Sequence, residues 1–172
     1  VDQAIKILSL GVEKISLSAA TVKNPYLVSE IAEKVGSQSV VVTLDVKKKR
    51  FGNFEILTHN ATLSSKIDPI EHAIKLQKLG AGEIVINSID NDGLMTGYDL
   101  KFIHKIKQHI TVPMTVVGGC GKIKDIIDLH AQEGLIGAAA GSMFVFNGKY
   151  RAVLISYISK EERQSIFKPF LS

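Results

Sequence analysis

The chain has 172 residues, of which 45% are hydrophobic and 22% are charged, a composition that is typical of one globular domain and excludes a disordered, collagen-like or disulfide-rich protein. Its 21 Lys and Arg residues outnumber its 17 Asp and Glu residues, so the formal net charge is +4. Residues 47–50 form the densest basic run. Because no aromatic residues interrupt this run, we interpret it as a solvated loop and expect no nucleic-acid partner, with an anionic substrate as the alternative.

Five short apolar segments rich in β-branched residues predict strands, and they alternate with segments of helical period. The predicted strands are residues 14–18, 39–45, 83–88, 113–117 and 136–141. This alternation is typical of parallel strands joined by crossover helices. Residues 39–44 are almost continuously apolar, which indicates strands that are covered on both faces.

Polar residues mark the starts of the predicted helices. Asn24 and Asp68 each precede a proline. In such a pair the Asn or Asp side chain can cap the helix and the proline can be its first residue. Asp99 is predicted to cap a helix that runs to about residue 109. Apolar spacing also predicts helices over residues 2–10 and 123–132.

Residues 54–67 interrupt the alternation. We predict a small hairpin in a long loop between a strand and its helix, a kind of loop in which functional residues are common. The chain as a whole, residues 1–172, is predicted to be a single domain.

Two architectures fit this order of elements, an open doubly wound sheet and a (β/α)₈ barrel of about 250 residues. No dinucleotide fingerprint follows any predicted strand, which weakens the first alternative. A closed barrel needs three more strands, and the chain begins with Val1 and Asp2 in a predicted helix. We therefore expect that about 80 further residues precede this chain in a complete barrel.

Three aspartates are the candidate catalytic or binding carboxylates. Asp45 ends an apolar strand, so partial desolvation suits it to proton transfer, although a loop cap is the alternative. Asp90 and Asp92 follow the next strand without the spacing of an EF-hand, which favours ligand contacts or Asx turns over a metal site. The histidines have no metal-ligand spacing either, so neither a metal nor a cofactor is expected.

Two glycine-containing loops follow the last two predicted strands, and they contain Gly118-Gly119 and Gly141-Ser142. Loops at these places form the recurrent phosphate site of (β/α)₈ barrels, and backbone N–H groups at a following helix start can bind a phosphate. The alternative is a pair of tight turns that need positive φ. Cys120, next to the first loop, is interpreted as a small loop residue. A lone cysteine, short apolar runs and no signal-like start predict a cytoplasmic chain without a membrane segment.

Taken in order and at their spacing, the motifs of the chain resemble the cyclase subunit of imidazole glycerol phosphate synthase and its paralogues, which are (β/α)₈ barrels. The matching motifs are Gly11-Val12-Glu13-Lys14-Ile15-Ser16, Asn24-Pro25, Gly36-Ser37-Gln38, the strand that ends at Asp45, Gly80-Ala81-Gly82-Glu83-Ile84, Ser88-Ile89-Asp90-Asn91-Asp92-Gly93, Gly97-Tyr98-Asp99 and Gly118-Gly119-Cys120-Gly121. By this resemblance residues 39–172 correspond to the C-terminal half of the barrel.

The resemblance implies a reaction in which ammonia from a glutaminase subunit joins a bis-phosphate aminoimidazole carboxamide ribonucleotide and an imidazole ring closes. Asp45 would be one of two acid–base carboxylates, the other lying upstream of this chain. Lys14 and Glu83 would line the ammonia entrance at the opposite end of the barrel. The implied substrate and phosphate contacts are Asp90, Asp92, Gly93, Gly118, Gly119, Gly141 and Ser142.

Three residues depart from the pattern of the histidine-pathway enzymes. Val117 stands where Ser is usual, Asn87 where Thr is common, and Ser18 where Asn is common. With an unusual tail over residues 146–154, these departures resemble paralogues that channel ammonia to a sugar-amidating enzyme in surface-polysaccharide or acidic-sugar pathways. This second function is the alternative to the histidine-pathway reaction.

Overall fold

Helices and strands alternate along most of the chain in the computed structural model, which describes residues 1–50 and 52–170. The helices are α1 Asp2–Ser9, α2 Ala19–Lys23, α3 Leu27–Val35, α4 Pro69–Lys78, α5 Leu100–Lys107, α6 Ile123–Glu133, α7 Ser142–Val145 and α8 Lys160–Phe167, with 3₁₀ turns at Ser37–Ser39 and Lys168–Phe170. The strands are β1 Ile15–Leu17, β2 Val40–Lys48, β3 Phe54–Thr58, β4 Leu63–Ser64, β5 Glu83–Ser88, β6 Met114–Val117, β7 Gly137–Ala138, β8 Phe146–Asn147 and β9 Ala152–Val153.

Five parallel strands lie side by side in the order β1-β2-β5-β6-β7. Each parallel strand therefore pairs with the next parallel strand along the chain, and the order never reverses. A doubly wound sheet needs such a reversal, whereas a (β/α)₈ barrel has sequential order throughout. The topology is therefore that of five consecutive strands of a barrel, and it confirms the five predicted strands.

An antiparallel hairpin extends the sheet beside the end of β2. The last residues of β2 pair with β3, with Val46 opposite Ile56, and β3 pairs with β4. The hairpin predicted in the long loop is thus confirmed. β2 continues to Lys48 and not only to Asp45 as predicted, because its final residues pair in this hairpin.

Two of the three predicted helix caps are present. The Asp68 carboxylate accepts hydrogen bonds from the backbone N–H groups of Ile70 and Glu71, and Asp99 accepts one from Phe102. The prediction for Asn24 is wrong, because α3 begins only at Leu27. Asn24 instead accepts a bond from the N–H of Tyr26 at 3.1 Å, and the residues between form an Asx-type turn.

The two faces of the sheet differ in burial. On the face covered by helices, alternate residues of β2 are at most 2% exposed, and they are Val40, Val42, Leu44 and Val46. On the opposite face, which we call the concave face, side chains such as Thr43 and Val85 are only half-buried. The cover predicted for both faces of the strands therefore holds fully for the helix-covered face only, although Val41 of the concave face is also buried.

The last described helix, α8, packs against α6. A short hairpin of β8 and β9 follows α7, and we call residues 146–153 the tail hairpin. Ser159 and Glu162 form a capping box at the start of α8. Within residues 1–50 and 52–170, the helices do not reach the length and apolar character that crossing a membrane requires.

Candidate active site

Asp45 lies at the carboxyl end of the parallel strands, on the concave face. Its two carboxylate oxygens accept bonds from different neighbours: Oδ1 from the Asn87 amide at 2.7 Å and Oδ2 from the Ser18 hydroxyl at 3.2 Å. The register places these residues together, since Asp45 pairs with Asn87 across β2 and β5. The carboxyl ends of three neighbouring strands thus meet at one half-buried aspartate.

This arrangement suits proton transfer. Both hydrogen-bond donors to Asp45 are neutral, and no cation lies in ion-pair distance of its carboxylate in the described part of the chain. The hydrogen bonds fix the orientation of the carboxylate without cancelling its charge. Asn87 and Ser18, which the sequence singled out only as departures from the family pattern, are the two residues that hold it.

The opposite end of the concave face contains an ion pair. Lys14 Nζ lies 2.8 Å from Glu83 Oε2, and Glu83 Oε1 accepts a bond from the Thr115 hydroxyl at 2.8 Å. The hydrogen bond and charge of Glu83 raise the pKa of Lys14. Burial acts to raise the pKa of Glu83, but the bonds from Lys14 and Thr115 outweigh it, and the pKa is lowered. Both groups therefore stay charged at neutral pH.

A hydroxyl pair lies between the two ends. The Ser16 and Thr43 hydroxyl oxygens are 2.7 Å apart. Polar groups therefore occur at three successive heights along the concave face: the Lys14–Glu83 ion pair, this hydroxyl pair and Asp45. The sequence analysis missed this pair and Thr115. The sequence does indicate a polar face on this strand, since polar residues occur at every second position in Lys14, Ser16 and Ser18.

The loop after β5, residues 89–97, contains three of the predicted ligand contacts. Asp90 Oδ2 accepts a bond from the backbone N–H of Lys48 at 2.7 Å, so this carboxylate holds the turn of the β2–β3 hairpin. Asp92 is exposed. Gly93 has a φ of 73°, and a Cβ added to it would meet no atom within 4 Å. Of the two aspartates, Asp90 is therefore the one whose carboxylate has a structural contact.

Gly118 and Gly119 begin the loop after β6, and both are buried with φ near 100°. A Cβ on Gly118 would lie 2.5 Å from the carbonyl oxygen of Ser88, and one on Gly119 would lie 2.1 Å from that of Gly97. The close approach of two loops thus requires glycine at both positions. The positive φ values agree with the alternative that these glycines form a tight turn. The backbone of this loop also lies against the loop after β5.

The N–H groups just before α6 are not bare, contrary to the prediction for this helix start. Asp125 accepts bonds from the N–H of Gly121 at 2.8 Å and of Lys122 at 3.1 Å. The helix supplies its own capping carboxylate and thereby satisfies the donors that a phosphate would have used. The N–H groups of Gly121 and Lys122 are therefore already bonded to Asp125 and do not face a ligand.

Gly141 and Ser142 lie beside the β6 loop, because β6 and β7 are neighbours in the sheet. Cys120 Sγ is 3.8 Å from Met143 Sδ in α7, and the Tyr98 hydroxyl donates to the carbonyl of Ala139 at 2.9 Å. The loops after β5, β6 and β7 are therefore in mutual contact. Burial raises the pKa of Cys120, which agrees with a packing role for this thiol.

One further contact at this end was not predicted. Arg151 of the tail hairpin donates from Nη2 to the carbonyl oxygen of Gly93 at 2.7 Å. The sequence marked the tail only as unusual, and nothing local predicts a partner 58 residues away. Among the described residues, no group of three or more His, Cys, Asp or Glu side chains could hold a metal ion.

Comparison with known proteins gives a consistent result. Residues 1–151 match the sequence model of the histidine biosynthesis protein family. A protein of Vibrio vulnificus strain YJ016, named provisionally as an imidazole glycerol phosphate synthase subunit, is 56% identical over 165 residues, which are 95% of this chain and 64% of the relative. A protein of Leptospira interrogans with a similar provisional name is 45% identical over 170 residues, 96% of this chain and 66% of the relative.

A third relative, the imidazole glycerol phosphate synthase subunit HisF of the Kyoto strain of Clostridium botulinum, is 36% identical over 156 residues. These residues are 90% of this chain and 62% of the relative. The chain therefore spans slightly less than two thirds of the length of these relatives.

Proposed function

Because this chain belongs to the histidine biosynthesis protein family, which has the (β/α)₈ barrel fold, we propose that it acts as a cyclase subunit of imidazole glycerol phosphate synthase. The proposed reaction joins ammonia to a bis-phosphate aminoimidazole carboxamide ribonucleotide, closes the imidazole ring and releases the remaining nucleotide fragment, a lyase-type step. The names of the relatives described above favour this reaction over ammonia channelling to a sugar-amidating enzyme.

The observation that carries the proposal is the environment of Asp45. Ring closure and bond cleavage require one group to take up a proton and another to supply one. Asp45 is half-buried near the end of the part of β2 that pairs with the parallel strand β5, and Asn87 and Ser18 each hold one of its oxygens. In the proposed mechanism this oriented carboxylate transfers protons to and from the substrate.

The three contacting loops at the same end are the proposed ligand site. Backbone groups of Gly118, Gly119, Gly141 and Ser142 would bind a phosphate, as loops at these places do in (β/α)₈ barrels. Asp92 and Gly93 would contact the substrate from the β5 loop. Asp90 would act more indirectly, since its carboxylate holds the Lys48 backbone.

The opposite end of the concave face is the proposed ammonia entrance. Lys14 and Glu83 form an ion pair there, and the Ser16–Thr43 hydroxyl pair lies between this end and Asp45. A glutaminase subunit that docks at this end would deliver ammonia on the side away from the substrate loops. Turnover that depends on glutamine when such a subunit is added would test this part of the proposal.

The test of the reaction itself is turnover of the bis-phosphate substrate by the full-length protein, which would include the upstream carboxylate, with ammonium supplied directly. We expect Asp45→Asn to lower kcat by about 10²–10⁴-fold, the usual contribution of a general acid or base. The melting temperature should change little, because the substitution keeps the size of a half-buried side chain.

Asp128→Asn is the matched control, since Asp128 lies on the exposed side of α6 in an ion pair with Lys124. It should leave turnover unchanged. Equal turnover by the Asp45→Asn variant and the unaltered chain would refute the catalytic role. A folded full-length protein that shows no turnover at all would refute the proposed reaction.

A further inference from the structure

The tail hairpin connects two of the loops at the proposed ligand site. It follows α7, which begins at Ser142 of the β7 loop, and its strands pair Phe146 with Val153. From this hairpin the Arg151 side chain reaches the β5 loop and donates from Nη2 to the Gly93 carbonyl at 2.7 Å. One side chain thus links the segment after β7 to the segment after β5, across the loop that lies between them.

The backbone of Arg151 is strained. Its φ of 50° lies in the left-handed region, which non-glycine residues rarely adopt and which is retained only where other contacts hold it. Two contacts hold it here. The guanidinium lies over the Phe146 ring, 4.7 Å from the ring centroid, and it donates to Gly93. An arginine at a strained turn position is thus fixed by an aromatic ring on one side and the β5 loop on the other.

We propose that Arg151 is a positioning residue for the phosphorylated ligand, which it serves by tying the tail hairpin, and with it the Gly141–Ser142 loop, to the β5 loop at Gly93. This inference rests on the proposed function, because it assigns both loops to the ligand. Loops that are already held together lose less conformational freedom when they bind, so the link increases affinity. Arg151 acts through these loops and takes no part in the proton transfers.

The measurement is the affinity of the chain for inorganic phosphate, followed by titration calorimetry at constant ionic strength. We expect Arg151→Ala to weaken binding about tenfold, the effect of losing one hydrogen bond to a charged group. Arg151→Lys can still donate to the Gly93 carbonyl, so it should restore most of the affinity.

Lys149→Ala is the matched control, because Lys149 is an exposed cation of the same hairpin. It should bind phosphate as the unaltered chain does. Equal weakening by Lys149→Ala and Arg151→Ala would overturn the proposal, because general surface charge would then explain both. Unchanged affinity of Arg151→Ala, or no phosphate binding by the unaltered chain, would also overturn it.

The mobility of the hairpin provides a second readout. The sequence contains no Trp, and Tyr150 is 91% exposed, so Tyr150→Trp adds a single fluorescent reporter to the hairpin. We expect the fluorescence anisotropy of this reporter to fall when Arg151→Ala is added. An unchanged anisotropy would show that Arg151 does not hold the hairpin, and the proposal would fail.

Turnover separates this inference from the proposed reaction. If the full-length protein turns over the bis-phosphate substrate, Arg151→Ala should raise KM about tenfold and leave kcat nearly unchanged, because it affects binding alone. An unchanged KM would overturn the role of Arg151 while the reaction stands. If there is no turnover but the phosphate and anisotropy effects are found, the reaction fails and the positioning role stands.

Discussion

Leu44 and Asp45 are neighbours in β2, yet they belong to opposite faces of the sheet. Leu44 is 1% exposed and packs in the core between the sheet and the helices. Asp45 is half-buried on the concave face, where Ser18 and Asn87 hold its carboxylate. The comparison extends along the strand, since Val42 shares the environment of Leu44 and Thr43 shares that of Asp45.

This difference shows how a strand separates stability from chemistry. Successive side chains point to opposite faces, so one strand can supply an apolar row to the core and a polar row to the site. Substitutions on the helix-covered face should therefore change the free energy of unfolding. Substitutions on the concave face should change binding and turnover while the protein stays folded.

The largest expected effect in this comparison is on the helix-covered face. Leu44→Ala should lower the free energy of unfolding by about 2–5 kcal/mol, because it removes buried methyl groups and leaves a cavity. Leu10→Ala makes the same chemical change at a residue that is 77% exposed, and it should cost less than about 0.5 kcal/mol. Urea unfolding measures both values. Similar losses for the two variants would contradict the separation of the faces.

A smaller effect is expected on the concave face. Asn87→Ala removes the 2.7 Å bond to Asp45 Oδ1 and should lower kcat about tenfold, a typical result of losing the hydrogen bond to a charged group. Ser18→Ala removes the longer 3.2 Å bond and should reduce kcat less. Steady-state kinetics with ammonium, beside a thermal melt of each variant, checks this order. A drop in the melting temperature of Asn87→Ala without a change in kcat would show that Asn87 contributes to stability and not to the function of Asp45.

The repeating part of this fold could be predicted from sequence because local signals set it. Runs of β-branched residues predict the five parallel strands, and Asp68 and Asp99 cap helices as their positions before apolar segments indicate. Asn24 misled the prediction, since an Asn-Pro pair also suits an Asx-type turn and the two outcomes share one local sequence. Local patterns cannot decide between such outcomes when tertiary packing does.

The candidate site was less predictable, because its contacts join residues that are distant in sequence. The sequence indicated Asp45 as the end of an apolar strand, but the partners of its carboxylate follow from strand register. Asp125 occupies the N–H groups that were expected to be bare, and Arg151 reaches Gly93 through a strained turn. The Asp125 contact is local, since a carboxylate at the third helical position is a capping signal that the sequence analysis did not use. The contact between Arg151 and Gly93 has no local signature, so only the three-dimensional arrangement shows it.

The smallest expected effect is a pH dependence of stability, and it concerns a histidine on the helix-covered face of the sheet. His72 of α4 is buried, and its Nε2 lies 3.2 Å from the Thr21 hydroxyl. Burial, with a smaller contribution from the charge of Lys75, lowers the pKa of His72 below its usual value of 6.5. A titratable group on this side should affect stability and not chemistry, since it lies among core residues.

The direction of the pH effect follows from this lowered pKa. Above about pH 6.5 the imidazole is neutral in both the folded and the unfolded chain, so the full stability is present. As the pH falls below 6.5, the unfolded chain binds the proton more readily than the folded chain does. The free energy of unfolding should therefore fall, by at most about 1.4 kcal/mol per pH unit for this one group.

Urea unfolding at pH 7.5 and pH 5.5 measures this loss in a range above the titration of ordinary carboxylates. His72→Asn should reduce the difference between the two pH values. The same change at His109, which is exposed, should leave the difference as it is in the unaltered chain. A pH dependence that persists in full in His72→Asn would assign the loss to another group, and burial of His72 would then carry no cost at acidic pH.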